Sequence, residues 1–367
     1  MNAAVLSAVG SPLRIEELRH PEPKKGEVRI KIAACGVCHS DLHIAKGDLK
    51  FPLPAVLGHE ISGVVDAVGE GVSAVRTGDR AVSSFIMPCG TCPSCGRGRD
   101  DLCETYFAFN RVKGVLYDGK TRLFRTDGTP VHMQMMGGMA QYAIVPDTDV
   151  FPLPAPLPLE ESCILGCALM TAYGAIKNAA QLREGQSVVV IGAGGVGSNI
   201  ITMARVFGAT QVIAVDVRQD KLEAARALGA TDVIDARSPE PLAQLQKITG
   251  GRGVDVAIEA IGRPETVSQA FQMACDGGRV VVIGVAPMDA VAPIGITRLV
   301  RRGIQIVGSF GCRVRTDMPE LIAMAAAGKI DVRASITRRY RLEQINEAYQ
   351  AMERGEIVGR AIVVMGP

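Results

Sequence analysis

The sequence predicts an α/β chain in two parts: a β-rich, barrel-like first domain and, after it, a doubly wound parallel sheet. Three features predict this. Up to about residue 160, short stretches of period two are divided by glycine and proline turns. Beyond Glu160, helical runs alternate with short apolar strands. Early in that alternation, the strand-like Ser187-Val-Val-Val-Ile191 runs directly into Gly192-Ala-Gly-Gly-Val-Gly197.

The first half opens with two strand-like stretches, Ala4-Val5-Leu6 and Glu27-Val-Arg-Ile-Lys-Ile32, separated by Pro21, Pro23 and Gly26. Cys35-Gly-Val-Cys-His-Ser-Asp-Leu-His43 follows, and Gly58-His59-Glu60 comes soon after. Together they offer a thiolate at Cys38 and imidazoles at His39, His43 and His59. They also offer a hydroxyl at Ser40 and carboxylates at Asp41 and Glu60. Thiolate with imidazole suits zinc. A hydroxyl and a spare histidine are more than a purely structural zinc knot needs, so Cys38 and His59 are read as holding a metal with an open position. Ile61 to Val68 reads as another strand, with turns at Gly69, Gly71, Gly78 and Asp79.

Cys89, Cys92, Cys95 and Cys103 then follow the pattern C-x2-C-x2-C-x7-C. Four thiolates satisfy tetrahedral zinc with no open position, which predicts a structural zinc lobe. A [4Fe-4S] cluster also takes four cysteines, but its bacterial run is spaced differently and carries a proline after the fourth, where this chain has Glu104. Two disulfides are the third reading.

Residues 104–140 read as irregular. Their cluster of Met133, Met135, Met136 and Met139 is either packing or the lining of an adaptable apolar pocket. Arg111, Arg122 and Arg125 read as solvated loop charges, with recognition of a carboxylate tail as the alternative. The proline-rich stretch from Phe151 to Pro158 is read as the passage between domains. Ser162 to Ala180 reads as a helix that places Cys163 and Cys167 on one face; Cys167 either completes a site with Cys38 and His59 or is a small buried hydrophobe, and spacing alone leaves both open.

A bare G-x-G-x-x-G is weak. Here it lies between a strand and a helix, and Asp216 ends the next strand 19 positions past Gly197. That context predicts a dinucleotide site. Gly192 makes the turn, Gly194 admits the pyrophosphate and Gly197 allows helix and strand to approach closely. The helix N-terminus faces the phosphates. Asp216 would accept hydrogen bonds from the adenosine ribose and repel a 2′-phosphate, so NAD is favoured over NADP, with Arg218 nearby as the opposing signal. Further on, Leu222 to Leu228, Pro319 to Ala327 and Leu342 to Arg354 read as helices. Val254 to Ile258, Arg279 to Ile283 and Ile304 to Val307 read as strands, and Ala361 to Val364 as a last strand returning to the first domain.

At 367 residues there is length for two cores. A net charge of +2 gives no footprint for nucleic acid or an anionic membrane, and no apolar run in the sequence reads as a membrane span. Six of the ten cysteines fit metal sites, and Met1-Asn-Ala-Ala-Val lacks a secretion signal, so a reducing, cytoplasmic setting is expected.

Gly36-Val-Cys-His-Ser-Asp41, Gly58-His59-Glu60, the four-cysteine lobe, Gly166-Cys167 and Gly192 to Gly197 with Asp216 occur in one order. In this combination the chain resembles the zinc-dependent medium-chain alcohol dehydrogenases over nearly its whole length. The resemblance implies a GroES-like catalytic domain over 1–168, completed by 310–367, and a Rossmann NAD-binding domain over 169–309. It implies two zinc ions, the catalytic one on Cys38, His59 and Cys167, with Glu60 as an occasional ligand and Asp41 orienting His59. It implies hydride exchange between an alcohol and NAD, with a proton path from Ser40 through the nicotinamide ribose to His43. It assigns His39 and Arg360 to the pyrophosphate, Val196 and Thr171 to the nicotinamide side, Lys221 to the adenosine ribose, and Gly195 and Val285 to the cofactor site. Leu57, Phe85, Met135 and Met136 would line a substrate pocket, widened by Ser40 to admit branched or secondary alcohols. A homodimer or homotetramer is implied, assembled on the sheet edge near Ile304 to Phe310. Cys35, Cys163, Cys275 and Cys312 are left as buried packing. Two alternatives stay open: an aldehyde or semialdehyde reductase using NADP(H), and a non-catalytic zinc- and nucleotide-binding redox sensor.

Overall fold

The computed structural model describes residues 1–366. It divides into two compact units, Met1–Met170 with Arg313–Pro367, and Thr171–Cys312.

The long strand Glu27–Val37 is the spine of the first unit. Its period-two pattern buries Val28, Ile30 and Ile32 and leaves Lys31 outside. Strand Ile61–Val68 and then Arg80–Ser83 and Phe151–Pro152 extend the sheet to one side, and Arg360–Val364 and Ile336–Arg341 extend it to the other. The last strand therefore does return to the first unit. A second sheet joins Arg14–Glu17, Asn2–Leu6, Ala55–Val56, Pro130–Met133 and Leu123–Phe124. Register explains the convergence that matters most. Cys35 lies opposite Ile61, and Val37 lies opposite Ala361. Residues 38, 59–60 and 360 consequently emerge at one end of three neighbouring strands.

The second unit is a six-stranded parallel sheet in the order Asp232–Asp235, Gln211–Asp216, Ser187–Ile191, Val254–Glu259, Ala274–Val282, Gln305–Gly308. Its core is built from the near-continuous apolar runs that parallel strands require, with Val189, Ile213, Val215, Ala257 and Val280 packed against Leu245 and Phe271 from the helices. Strand order reverses between Ser187–Ile191 and Val254–Glu259, which opens a crevice at their carboxyl ends. The α/β class expected from the alternation is the class observed.

Five readings need correction. The proline-rich segment lies inside the first unit: Phe151–Pro152 pairs with Arg80–Ser83, and Arg80 donates to the carbonyls of Ala155 (2.8 Å) and Leu157. The prolines lack N–H donors for a ladder, so an arginine that donates to the carbonyls of the residues between them anchors the run. Next, 162–180 is not one α-helix. It is a 3-10 stretch Glu161–Gly166, an α-helix Ala168–Gly174 and a π stretch Ala175–Ala180, so the shared α-helical face of Cys163 and Cys167 does not exist. By length and composition this 20-residue run could cross a membrane, contrary to the sequence reading, yet 83% of its most apolar window is buried inside the protein. Residues 104–140 also contain a π turn, Tyr106–Arg111, and the strands Leu123–Phe124 and Pro130–Met133. Finally, Arg122 is no solvated charge. It is 6% exposed and pairs with Glu27 (2.5 Å) and Asp118 (3.0 Å), while Arg125 pairs with Glu16 (2.8 Å). Those partners stand up to 109 residues away, beyond local reading.

Candidate functional site

Two clusters of metal-ligand side chains form in the first unit. The first comes from the end of the spine strand. Cys38 has extended backbone (φ −126°, ψ 148°) and precedes the helix His39–Lys46, which Gly47 closes in left-handed conformation. The ligand atoms of Cys38, His59, Glu60 and Cys167 all lie within 4.8 Å of one another, and all four residues are buried. Cys167 reaches them because Phe85 N–H donates to Gly166 O (2.9 Å) and Gly166 packs on the carbonyl of Ser83. A Cβ at 166 would stand 2.3 Å from that oxygen, so only glycine permits the approach.

His59 is held by Asp41, whose Oδ1 lies 2.8 Å from Nδ1. Nε2 is left to face the thiols. The hydrogen bond from Cys167 holds the Cys38 thiol well below its usual range. Burial opposes a charge on His59, but Asp41 and Cys38 outweigh it and push its pKa up to about 10. Both shifts express how closely the Cys38 sulfur and the His59 ring approach each other. Glu60 is wholly buried and ion-paired to Arg360, which is 4% exposed, and Glu60 Oε2 has no hydrogen-bond partner. Two thiols, one oriented imidazole and a carboxylate with a spare oxygen fit a zinc ion.

The second cluster is Cys89, Cys92, Cys95 and Cys103, again within 4.8 Å. The sulfurs of Cys92 and Cys103 are 3.9 Å apart, against ~3.8 Å for the edge of a tetrahedron with ~2.3 Å zinc–sulfur bonds. Backbone N–H groups of Cys89, Cys92 and Tyr106 point at the sulfurs of Cys103, Cys89 and Cys103 at 3.3, 3.3 and 3.4 Å. Burial opposes a thiolate on Cys89, but hydrogen bonds from Thr105, Thr91 and Cys92 bring its pKa to about 6; burial pushes the Cys103 thiol up to about 11. Four thiols so close cannot all ionise without a cation. The residues present fit a metal closed in by four cysteines.

In the second unit, helix Gly195–Val206 starts directly after the glycine turn, with no side-chain cap. Its first N–H groups therefore remain available to an anion. A Cβ on Gly197 would stand 1.8 Å from Gly192 O, whereas a Cβ on Gly194 would meet nothing within 4 Å. Packing demands the first glycine. The second keeps a bare face over the turn, of the kind a pyrophosphate would occupy. Asp216 accepts from Ala193 N–H (2.8 Å) and Arg218 N–H (3.0 Å), which fixes it beside the turn.

Two family models match the chain: an alcohol dehydrogenase GroES-like domain over residues 24–155 and a zinc-binding dehydrogenase domain over 195–327. A solved alcohol dehydrogenase zinc-binding domain protein from Burkholderia ambifaria is 34% identical, with TM-score 0.94, over 100% of this chain and 99% of that one. The chain belongs to the zinc-dependent medium-chain alcohol dehydrogenase family. The benzyl alcohol dehydrogenase of Acinetobacter calcoaceticus is 30% identical, with TM-score 0.93, over 100% and 99% of the two chains. An alcohol dehydrogenase from Thermus sp. ATN1 is 30% identical, with TM-score 0.87, over 100% of both.

The remaining residues expected from this alcohol dehydrogenase family fall as follows. Ser40 Oγ stands 3.2 Å from Cys38 Sγ, while His43 is part-exposed with Nδ1 2.9 Å from Asp48. His39 is exposed at the start of its helix; Thr171 is buried in helix Ala168–Gly174; Val285 is exposed beyond strand Ala274–Val282. Val196 lies in the first turn of Gly195–Val206, and Lys221 in that of Gln219–Ala227. Arg360, expected at the pyrophosphate, has Glu60 as its partner. Leu57 and Met136 have no exposed surface, so both are packed into the interior of the first unit. Phe85 and Met135 keep 6% and 3%, and the Phe85 ring stands edge-on to His59 at 6.0 Å.

Sequence reading missed several supports. Asp149, fully buried, accepts from the hydroxyls of Ser83 (2.6 Å) and Ser84 (2.5 Å) and pins the loop that carries Phe85. Burial pushes the Asp149 carboxyl up, against the pull of those serines. Arg315 grips Asp100 through Nε (3.0 Å) and Nη2 (2.9 Å) and donates to Cys95 O (2.7 Å), tying the cysteine lobe to helix Val314–Ala326.

Proposed function

We propose that this family member is an NAD-dependent alcohol dehydrogenase, acting also as an aldehyde reductase, with two zinc ions per chain. The observation that carries the proposal is the convergence of Cys38, His59, Glu60 and Cys167 beside the Ser40 hydroxyl. When bound, zinc supplies a Lewis acid for the substrate oxygen and the nicotinamide supplies a hydride acceptor. Cys38, His59 and Cys167 hold the ion, and Asp41 keeps His59 Nε2 aimed at it. Glu60, balanced by Arg360, stands by as an exchangeable ligand. Ser40 takes the alcohol proton, and His43, part-exposed and beside Asp48, passes it to solvent. The lobe of Cys89, Cys92, Cys95 and Cys103 holds the second ion and keeps its loop folded.

Gly192, Gly194, Gly195, Val196 and Gly197 hold the pyrophosphate. Asp216 receives the adenosine ribose, helped by Lys221, and NAD is preferred. Arg218, the residue that would welcome a 2′-phosphate, is drawn to Asp220 (2.5 Å). Primary and secondary alcohols are the substrate class, with benzyl alcohol, the substrate named for one relative, among those to try.

The test is absorbance at 340 nm with a panel of alcohols and aldehydes, NAD and NADP, on protein of measured metal content. No turnover with any pair would sink the proposal in favour of a sensor. Asp216→Gly should lose two charge-assisted hydrogen bonds to the ribose, cutting the preference for NAD over NADP by about 10–100-fold. An unchanged ratio of kcat/KM values means the ribose lies elsewhere.

Two copies pair on the free edge of the parallel sheet, Gln305–Gly308, where Ile306 is 38% exposed and the preceding segment exposes Met288, Val291, Ile296 and Val300. Sedimentation should give a dimer or tetramer, and Ile306→Lys should shift it towards monomer. A wild-type chain that sediments as a monomer rules this pairing out.

A further inference from the structure

Asp41 has two carboxylate oxygens and uses one. Oδ1 holds His59, while Oδ2 is buried without a hydrogen-bond partner. A second buried group nearby is in the same position: the phenolic oxygen of Tyr349, on a side chain only 4% exposed. Tyr349 belongs to helix Ile345–Glu353, which packs against His39–Lys46, the helix that carries Asp41. After burial, the Asp41 carboxylate is the strongest influence on the phenol, followed by Cys35 and Cys38, and all of them push its pKa up. The hydroxyl therefore keeps its proton and is a donor in search of an acceptor. Asp41 Oδ2 is an acceptor in search of a donor. A buried polar atom left unpaired is costly, and a donor and an acceptor carried by two packed helices can relieve each other.

We propose that the Tyr349 hydroxyl donates to Asp41 Oδ2, directly or through a single buried water, as the outermost member of a Tyr349–Asp41–His59 chain that fixes the imidazole for metal binding. Tyr349 is a positioning residue. It touches neither metal nor substrate, and it limits the rotation of the carboxylate that in turn limits the ring. A phenylalanine would fill the same space without this restraint. The inference rests on reading Cys38, His59 and Cys167 as a zinc site.

The test is Tyr349→Phe in the full-length, zinc-loaded chain, read by chelator competition and by the visible bands of the cobalt-substituted protein. The zinc of the Cys38 site should be held about 3- to 10-fold more weakly, below the 10–100-fold typical of a group bonded directly to a ligand. The cobalt bands should shift, and the metal of the four-cysteine lobe should leave at its wild-type rate as an internal reference. In an Asp41→Asn background, Tyr349→Phe should add little or nothing, because the chain is already cut. Unchanged affinity and spectrum in Tyr349→Phe overturn the inference. So does an equal loss with and without the Asp41 carboxylate, which would mark the effect as packing. A wild-type chain that binds metal only in the cysteine lobe overturns the zinc-site reading itself, and the same titration reports it.

Discussion

Cys167→Ser should leave a folded protein that carries one metal ion per chain instead of two and turns over about 10³-fold more slowly. The substitution changes one atom in a buried place and spares the His59–Asp41 pair, so nothing charged is left stranded. His59→Ala would be a poorer experiment, since it would leave the fully buried Asp41 carboxylate unpaired and confuse misfolding with lost chemistry. The size follows from the Lewis acid's contribution of several kcal/mol; about 4 kcal/mol is about three decades in rate. Metal content and initial rates at 340 nm decide the matter. Two ions retained with the rate intact would remove Cys167 from the site.

The complementary substitution is Cys103→Ser. Cys103 is wholly buried and its sulfur receives the N–H groups of Cys89 and Tyr106. With one thiolate missing, the lobe should lose the ion proposed for it, and the loop from 89 to 103 has little apolar core with which to hold its shape. The Arg315–Asp100 clamp then has nothing rigid to grip. A loss of about 3–5 kcal/mol is expected, or a melting point lower by about 10 °C. The folded fraction should keep the ion at Cys38, His59 and Cys167. A melting curve identical to wild type would show that the lobe needs no metal.

What the sequence disclosed follows from where the chemistry is encoded. The cysteine lobe and the glycine turn are local: ligands or donors lie within a few residues, so spacing alone carries the geometry. Cys38 and His59 were also legible, because thiolate and imidazole are distinctive ligand types; the antiparallel pairing of Glu27–Val37 with Ile61–Val68 is what brings them together. Cys167 was nameable but its setting was not. Apolar spacing cannot separate one α-helix from a 3-10 stretch that leads into a short α-helix, and the deciding fact is a carbonyl at Ser83 that Gly166 must clear. Long-range ion pairs were out of reach for a similar reason. Nothing near Arg122 points to Glu27, and nothing near Arg360 points to Glu60. Leu57 and Met136 show the limit for pockets: an apolar residue reads the same whether it lines a cavity or fills a core.

The strand Arg360–Val364 sits between Glu27–Val37 and Ile336–Arg341, in the middle of a sheet begun more than three hundred residues earlier. During synthesis the Thr171–Cys312 unit is contiguous and can fold as it leaves the ribosome. The unit begun by Glu27–Val37 must wait, its sheet gapped and Glu60 without its arginine, until residue 360 emerges. Nascent chains stalled before that point should expose open strand edges to chaperones, and a late truncation should damage the oldest part of the protein rather than the newest.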